Sequence, residues 1–241
     1  MSKQVGLGVL LALAAVGASY VGPVRADFEG YVDQPAGKFD VTKNPGCGVK
    51  AKTREEKIKR NVNIAEFYHQ SYAAMENDTI NRHDWTEYDC MAPGATVVVG
   101  VYMPPPAKPI SFPMPSGEEA RKLVKEGNSG SQKEVRMWKK VYPNLRAVPG
   151  TFRVITAWEG GVNWVMAFDG TSKDGETIFY WEVNTILVNE DGRITHMDCW
   201  DDGQGVANAW KKVTGIPFEE IKKNPAVYFK ALDDLGSKQA K

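Results

Sequence analysis

Residues 177–200 read TIFYWEVNTILVNEDGRITHMDCW: two long runs rich in β-branched and aromatic residues, separated by a short polar stretch. Runs of this kind are typical of β-strands, so we predict strands over Thr177–Val188 and Arg193–Trp200. Asp191-Gly192 lies between them, and Gly readily adopts the positive φ that a tight hairpin turn requires. The stretch therefore predicts an antiparallel hairpin.

Further strands precede this hairpin along the chain. Phe152–Trp158 and Val162–Phe168 have the same composition, and Asp174-Gly175 gives a second turn signal before residue 177. Ala95–Tyr102 is a β-branched run that ends before three prolines, and it predicts the first strand. These segments predict an antiparallel meander.

Helical patterns lie on both sides of the meander. Thr53-x-x-Glu56 matches a capping box, and apolar residues then recur at helical spacing from Ile58 to Met75. Shorter helical patterns follow over Gly117–Lys125, Gln132–Val141, Val206–Val213 and Pro225–Leu235. Helices followed by an antiparallel meander predict an α+β fold with helices on one sheet face. We expect the last two helices to pack outside the fold.

The N-terminus has the pattern of a secretory signal. Lys3 precedes the apolar stretch Val5–Val16, and Val24-Arg25-Ala26 matches a small-x-small cleavage site. The apolar stretch is shorter than the roughly 20 residues that span a bilayer, although an uncleaved anchor stays the alternative. We expect cleavage after Ala26, a periplasmic or secreted protein, and no membrane span after cleavage.

The composition favours one mature domain with extensions. We predict a signal peptide over 1–26, an irregular N-terminal arm over 27–53, the main domain over 54–205 and a C-terminal helical extension over 206–241. The whole chain has a formal net charge of 0, and no basic block indicates a nucleic-acid partner.

Cysteines and known motifs give little sign of a metal or cofactor. The three cysteines are too few for a disulfide framework and too scattered for a zinc site, although Cys47 and Cys90 are the pair that we expect to form a disulfide if one forms. Glycine-rich phosphate loops, Ser-His-Asp order and metal-ligand spacing are missing from the sequence. We therefore expect neither a metal nor a cofactor.

Three short motifs resemble those of SnoaL-like proteins in the NTF2-like superfamily. Val141–Arg146 (VYPNLR) is similar to the family's helix end, and Val188–Ile194 (VNEDGRI), continuing to Trp200-Asp201, is similar to its last hairpin. The passage from Asp84 to Ala95-Thr96-Val97 fits the family's step from helix to first strand. The order and spacing agree over about residues 54–203.

The resemblance implies a cone, in which a curved antiparallel sheet wraps around the long first helix and leaves a pocket at its open end. Known relatives include polyketide cyclases, steroid isomerases, scytalone-type dehydratases and lyases of lignin-derived aromatic dimers, and also non-catalytic binding or assembly modules. Fold alone does not decide among them. We also expect a homo-oligomer, either a dimer or a trimer.

Enzymes of this superfamily mostly move protons, so titratable side chains are the candidate catalytic groups. We predict a site formed by His69, Tyr72, Tyr102, Asn184, His196 and Asp198. His69 faces either the pocket or solvent. Strand alternation places Ile194, His196 and Asp198 on one face, which is either the pocket face or an outer one. In SnoaL-like enzymes an acid commonly lies five residues after the hairpin Ile, and here that position is Cys199.

Two other chemistries of the superfamily match less well. The acid that steroid isomerases carry just after Ala-Thr-Val is replaced by Val98-Val99-Gly100, and the histidine of scytalone-type dehydratases by Pro149. Aromatic residues are abundant, and we expect Trp138, Trp164, Phe168 and Trp181 to contact a flat ligand. Glu182 or Asn184 could add a polar contact.

These observations favour a cofactor-independent acid–base enzyme, a lyase, dehydratase, isomerase or cyclase. Its expected ligand is a small hydrophobic aromatic or polycyclic molecule, with a lignin-derived aromatic as the first candidate. The alternative is a non-catalytic ligand-binding or assembly module of the same fold. An open pocket with converging polar groups favours the enzyme, and a plugged cone favours the module.

Overall fold

The computed structural model describes residues 43–73, 87–102, 110–224 and 226–237. The expected signal segment 1–26 and most of the expected arm lie outside these residues. The helices and strands are α1 (Arg54–Ala73), β1 (Met91–Tyr102), β2 (Ile110–Pro113), α2 (Gly117–Glu126), α3 (Gly130–Lys139), β3 (Arg146–Ala147), β4 (Arg153–Trp158), β5 (Gly161–Thr171), β6 (Thr177–Val188), β7 (Ile194–Asp202), α4 (Gly203–Thr214), α5 (Phe218–Lys223) and α6 (Ala226–Ala231), followed by a π-helical turn (Leu232–Gly236).

The described strands form one curved, unclosed sheet. Their order is β2-β1-β7-β6-β5-β3, and β4 pairs with β5 as well. β1 runs parallel to β7, whereas the other pairs are antiparallel. The predicted α+β class and the curved sheet are therefore confirmed. The short strands β2 and β3 were not predicted, because four and two residues are too few to show an alternating pattern.

The long helix α1 begins at the predicted capping box. The backbone N–H of Glu56 donates to Thr53 Oγ1 at 3.2 Å, and the backbone N–H of Thr53 donates to Glu56 Oε2 at 3.1 Å. Side chains that include Ile64 and Phe67 pack with apolar residues of β4 to β7 in one core. Asn61 Nδ2 also donates to the carbonyl of Trp158 at 2.8 Å. Burial and this hydrogen bond hold the helix against the sheet.

The two faces of the sheet differ sharply in burial. The inner face carries Trp164, Met166 and Phe168 of β5, all of which are buried. The outer face carries Trp181 and Val183 of β6, which are 41% and 42% exposed. Side chains alternate between the two faces along a strand, and directly paired residues of neighbouring strands lie on the same face. The pairing register therefore assigns each residue to the inner or the outer face.

A register irregularity lies at the start of β7. Val188 pairs with Ile194, but the preceding residue Leu187 pairs with His196, so one residue of β7 is skipped. The register of β7 with β1 also changes here, but four residues of β1, 92–95, lie between the pairs Met91–Ile194 and Thr96–His196. An extra residue of this kind is a β-bulge, and it exchanges the faces of the residues beyond it. Ile194 is therefore buried while His196 lies on the opposite, outer face.

The sequence suggested that the C-terminal helices pack outside the fold, and this expectation is wrong. They pack on the inner face of the sheet. Trp210 of α4 lies 6.2 Å from Trp138 of α3 and stacks on Tyr228 of α6 at 5.3 Å, both measured between ring centroids. These side chains share one core with Phe168 and Tyr180 of the inner face. An amphipathic helix buries its apolar side where the sheet offers an apolar surface, and here that surface is the inner face.

A disulfide joins Cys47 to Cys90, as the sequence suggested. It connects the segment before α1 to the start of β1 and closes a loop with a sequence separation of 43 residues. Cys199 is a free cysteine. Within the described ranges, we find no helix whose length and apolar character would let it cross a membrane.

Candidate functional site

A cavity of about 310 Å³ lies between the inner face of the sheet, α3 and the C-terminal helices. Most of its wall is aromatic and apolar. The aromatic lining residues are Tyr68, Tyr88, Trp138, Trp164, Phe168, Tyr180, Tyr228 and Phe229. The volume is at the small end of the usual range for ligand pockets, which suits a molecule of one or two rings.

Four polar side chains form a compact block on the inner face within this cavity. Glu182 and Asn184 lie on β6, and Cys199 and Asp201 lie on β7. In the strand register Glu182 faces Asp201 and Asn184 faces Cys199. Side chains at directly opposed positions lie within contact distance of one another. The antiparallel pairing of β6 and β7 thus brings two acids together that are far apart in the sequence.

Glu182 and Asp201 form a carboxyl–carboxyl hydrogen bond. Burial is the largest cause that raises the pKa of Asp201 well above its ordinary value, and the neighbouring charges of Glu182 and Glu134 raise it further. Burial also raises the pKa of Glu182, although Asn184 Nδ2, which donates to Glu182 Oε1 at 2.7 Å, acts in the opposite direction. Two adjoining carboxyl groups do not both ionise readily. The surroundings therefore favour a proton on this pair, and more strongly on Asp201 than on Glu182.

Two tyrosines and a cysteine around this pair stay neutral. Burial raises the pKa of Tyr180, Tyr228 and Cys199 well above their ordinary values, and nearby carboxylates add to the effect. The Tyr228 hydroxyl donates to Glu134 Oε1 at 3.3 Å. A protonated thiol is a poor nucleophile, so the environment of Cys199 does not support covalent catalysis.

Two buried polar atoms in the cavity wall have no hydrogen-bond partner within the protein. They are Asn184 Oδ1 and Trp164 Nε1. Asn184 is 1% exposed, and the two residues face each other across the β5–β6 pair. A buried polar atom without a partner costs free energy. A ligand that donates to Asn184 and accepts from Trp164 would remove this cost.

Four of the residues predicted from the sequence line the cavity. They are Asn184, Trp138, Trp164 and Phe168. The structure thus brings the amide and three of the four aromatic side chains expected to contact a ligand to one enclosed space. The side chains of Tyr72 and Tyr102 lie outside the described part of the structure.

The expectation that His196, Asp198 and Trp181 face the pocket is wrong in this structure. All three lie on the outer face, since His196 pairs with Leu187 and Asp198 with Thr185. His196 Nε2 lies 3.1 Å from Asp198 Oδ1, and Nδ1 lies 2.8 Å from Thr96 Oγ1. The predicted His–Asp contact exists, but the bulge places it on the opposite side of the sheet from the cavity.

His69 is neither a pocket residue nor a solvent-facing one. It is 6% exposed, stacks on Phe152 at 4.4 Å between ring centroids, and places Nδ1 3.4 Å from Met166 Sδ. Burial lowers the pKa of His69 from 6.5 to about 4. The imidazole is therefore neutral at neutral pH and packs behind Met166, which itself lines the cavity.

The sequence prediction missed the acid pair and Glu134. Glu182 had been noted as a possible polar contact because it alternates with the aromatic residues of β6. Asp201 shares a face with Cys199, the position at which the resemblance places an acid. A correct choice of the inner face of β7 would have identified it. Glu134 lies on α3 without a motif, so nothing in the sequence marks it as a site residue.

A metal site is not evident in the described ranges, which contain no cluster of three or more His, Cys, Asp or Glu side chains suited to hold an ion. The cavity holds two adjoining carboxyl groups, Glu182 and Asp201, whose pKa values are both raised. This arrangement can accept a proton at one oxygen and donate one at another within the same enclosed space.

Comparison with solved structures finds matches of low sequence identity and low TM-score. No family model matches the chain, and no curated protein matches it. A phenazine biosynthesis-related protein from Pseudomonas aeruginosa is 11% identical, with 79% of this chain and 91% of that chain covered and a TM-score of 0.39. TerC, crystallised with polyporic acid, is 18% identical, with 68% and 98% covered and a TM-score of 0.35.

A third similar structure is a steroid delta-isomerase from Pseudomonas aeruginosa. It is 15% identical to this chain, with 70% of this chain and 94% of that chain covered and a TM-score of 0.34. Identities and scores of this size transfer no activity to this chain. The described residues form a curved, unclosed sheet packed against the long helix α1, with an aromatic-walled cavity on its inner face, and such a cavity suits an enzymatic or ligand-binding role.

Proposed function

We propose that this protein is a cofactor-independent acid–base enzyme that acts on a small, largely apolar molecule in the cavity. The observation that carries the proposal is the hydrogen-bonded pair Glu182–Asp201, two adjoining carboxyl groups inside an aromatic enclosure, of which Asp201 has the more strongly raised pKa. In many acid–base enzymes the surroundings shift the pKa values of two neighbouring groups apart, so that one acts as the acid and the other as the base.

The two carboxyl groups divide the proton transfers between them. The Glu182 carboxylate, oriented by Asn184 Nδ2, accepts a proton from the bound molecule. The Asp201 carboxyl group donates its proton to another atom of the same molecule. The pair then holds one proton again, located on Glu182, and a transfer within the pair or with water restores the starting state. The proton count therefore balances without an added cofactor.

The geometry supports a reaction class more than a particular substrate. Isomerisation, dehydration, β-elimination and cyclisation all need one proton removed and one delivered. The aromatic wall and the cavity volume favour a ligand of one or two rings, and lignin-type aromatics are members of that class. The predicted signal segment suits a substrate met outside the cytoplasm.

A deuterium-exchange screen tests this proposal most directly. Purified protein is incubated in D2O, without added metal or nucleotide, with a panel of aromatic ketones and diols that includes lignin-type compounds, and mass spectrometry records both new products and incorporated deuterium. We expect at least one compound to exchange or convert. Loss of a general base typically lowers the rate by about 10²- to 10⁴-fold, so Glu182→Gln and Asp201→Asn should lower it to this extent.

Asp198→Asn is the matched control, because Asp198 lies on the same strand but on the outer face. It should leave the rate unchanged. Binding without exchange or conversion would instead indicate a ligand-binding module. Turnover that requires an added metal, or equal losses in the Asp198 and Asp201 variants, would contradict the proposed site.

A further inference from the structure

The charges that line the cavity are strongly unbalanced. Glu182, Asp201 and Glu134 all contribute carboxyl groups to the wall. Among the lining residues, the one cationic side chain that the structure describes is Lys133, whose Nζ lies 2.6 Å from Asp233 Oδ1. The largest influences that other charged groups exert on Asp201 all come from carboxylates. Carboxyl groups therefore dominate the charged surroundings of Asp201.

The uncharged part of the wall also favours a cation. Asn184 Oδ1 is a buried acceptor in the wall without a partner in the protein. Phe168 and Tyr180 stack on each other at 5.2 Å between centroids on the inner face, and both line the cavity. Aromatic faces attract cations, and they do so more strongly where water is excluded. The cavity thus combines acceptors and aromatic surface around a shared acid pair.

We propose that the ligand of this cavity is a small arylalkylamine that binds in its protonated form, with its ammonium group on Glu182, Asp201 and Asn184 Oδ1. An ammonium group carries three donors and no acceptor, so it can donate to an oxygen of Glu182, to an oxygen of Asp201 and to Asn184 Oδ1, which has no partner in the protein. This inference rests on the proposed function in the sense that it names the substrate class for the same acid pair.

Calorimetric titration with three matched probes tests the inference. The probes are 2-phenylethylamine, 2-phenylethanol and 3-phenylpropionate, which carry a cationic, a neutral and an anionic group on similar frames. Hydrogen bonds to charged groups contribute about 1.5–3 kcal/mol, which corresponds to about 10- to 100-fold in affinity. We expect the amine to bind tighter than the alcohol by this factor, and the carboxylate to bind weakest.

Variants locate the preference. In Glu182→Gln/Asp201→Asn the amine and the alcohol should bind with similar affinity, because the acid pair is removed while the aromatic wall stays. Glu159→Gln is the matched control, since it removes one exposed carboxylate in the β4–β5 turn and should keep the preference. The wild-type comparison of three probes needs no variant, so a poorly folded double variant does not affect it.

The outcomes separate this inference from the proposed function. Equal or tighter binding of the alcohol or the carboxylate to the wild-type protein would overturn the amine inference, whatever the exchange screen shows. Preferential amine binding without exchange or conversion of any compound would support the inference and contradict the enzyme. Loss of the preference in Glu159→Gln would show that overall charge, not the acid pair, selects the amine.

Discussion

Substituting His69 by Phe should make the protein less sensitive to acid. The imidazole is 6% exposed and packs on Phe152 and Met166, and burial lowers the pKa of His69 from 6.5 to about 4. Between these two pH values the unfolded chain binds a proton at this residue and the folded protein does not. This proton uptake favours unfolding, so His69 makes the free energy of unfolding decrease as the pH falls from 7 to 4.

The size of the effect follows from the two pKa values. Each pKa unit corresponds to about 1.4 kcal/mol, so the change from 6.5 to about 4 makes His69 cost about 3 kcal/mol of stability below pH 4. Phe does not titrate, and its ring can keep the stack on Phe152 and the contact with the Met166 sulfur. The variant should therefore lose less stability than the wild type over this range, by about 3 kcal/mol when the transition is complete.

Urea unfolding at several pH values from 7 to 4, followed by tryptophan fluorescence, measures this difference. The comparison at pH 7 reports the change in packing alone, because the imidazole is neutral in both states there. The further change in the free-energy difference between pH 7 and pH 4 reports the protonation of His69 alone. Parallel stability curves for the two proteins would refute the buried position of His69. A loss of turnover in His69→Phe at pH 7, without a loss of stability, would instead support the catalytic role that the sequence suggested.

Three further predictions concern the disulfide, the acid pair and the outer face. Replacing both Cys47 and Cys90 by Ala should lower the free energy of unfolding by about 4 kcal/mol, the value expected for closing a loop of this length, and urea unfolding that shows no loss would contradict it. Because the pKa of Asp201 is raised, the free energy of unfolding of the wild type decreases as the pH rises above about 4. The free energy of unfolding of Asp201→Asn should therefore increase relative to that of the wild type between pH 4 and pH 8. A difference between the two proteins that does not change with pH would contradict the acid pair. Trp181→Glu should shift the expected homo-oligomer towards monomer in light scattering, since exposed apolar surface of this kind favours association, whereas an unchanged mass would exclude the outer face.

Local patterns in the sequence predicted most of the fold. The turn at Asp191-Gly192 has its glycine at a φ of 75°, and the capping box at Thr53 forms as expected. These features depend on residues a few positions apart, so the sequence displays them directly. The disulfide between Cys47 and Cys90 was chosen from three cysteines without support from any local pattern, since the two residues are 43 positions apart.

The candidate site was harder to predict, because it depends on which face of each strand is buried. Alternation groups His196 with Asp198 and Cys199 with Asp201, but it does not identify the inner group. Simple alternation places His196 and Asp198 on the same face as the buried Ile194. This is wrong, because the bulge between Ile194 and His196 reverses the alternation within β7. The contact of Glu182 with Asp201 exists only through the β6–β7 register, which no single strand reveals.

The C-terminal helices complete the wall of the cavity, and this has a thermodynamic consequence. Tyr228, Phe229 and the following turn at Leu232 contribute directly to the lining, while most of the rest of the wall belongs to the sheet and to α3. A molecule that touches both parts binds the assembled form better than the form with these helices undocked. By reciprocity, occupancy and helix docking must reinforce each other by the same free energy. A saturating ligand should therefore slow amide hydrogen exchange in residues 226–236 even where those residues make no contact with it.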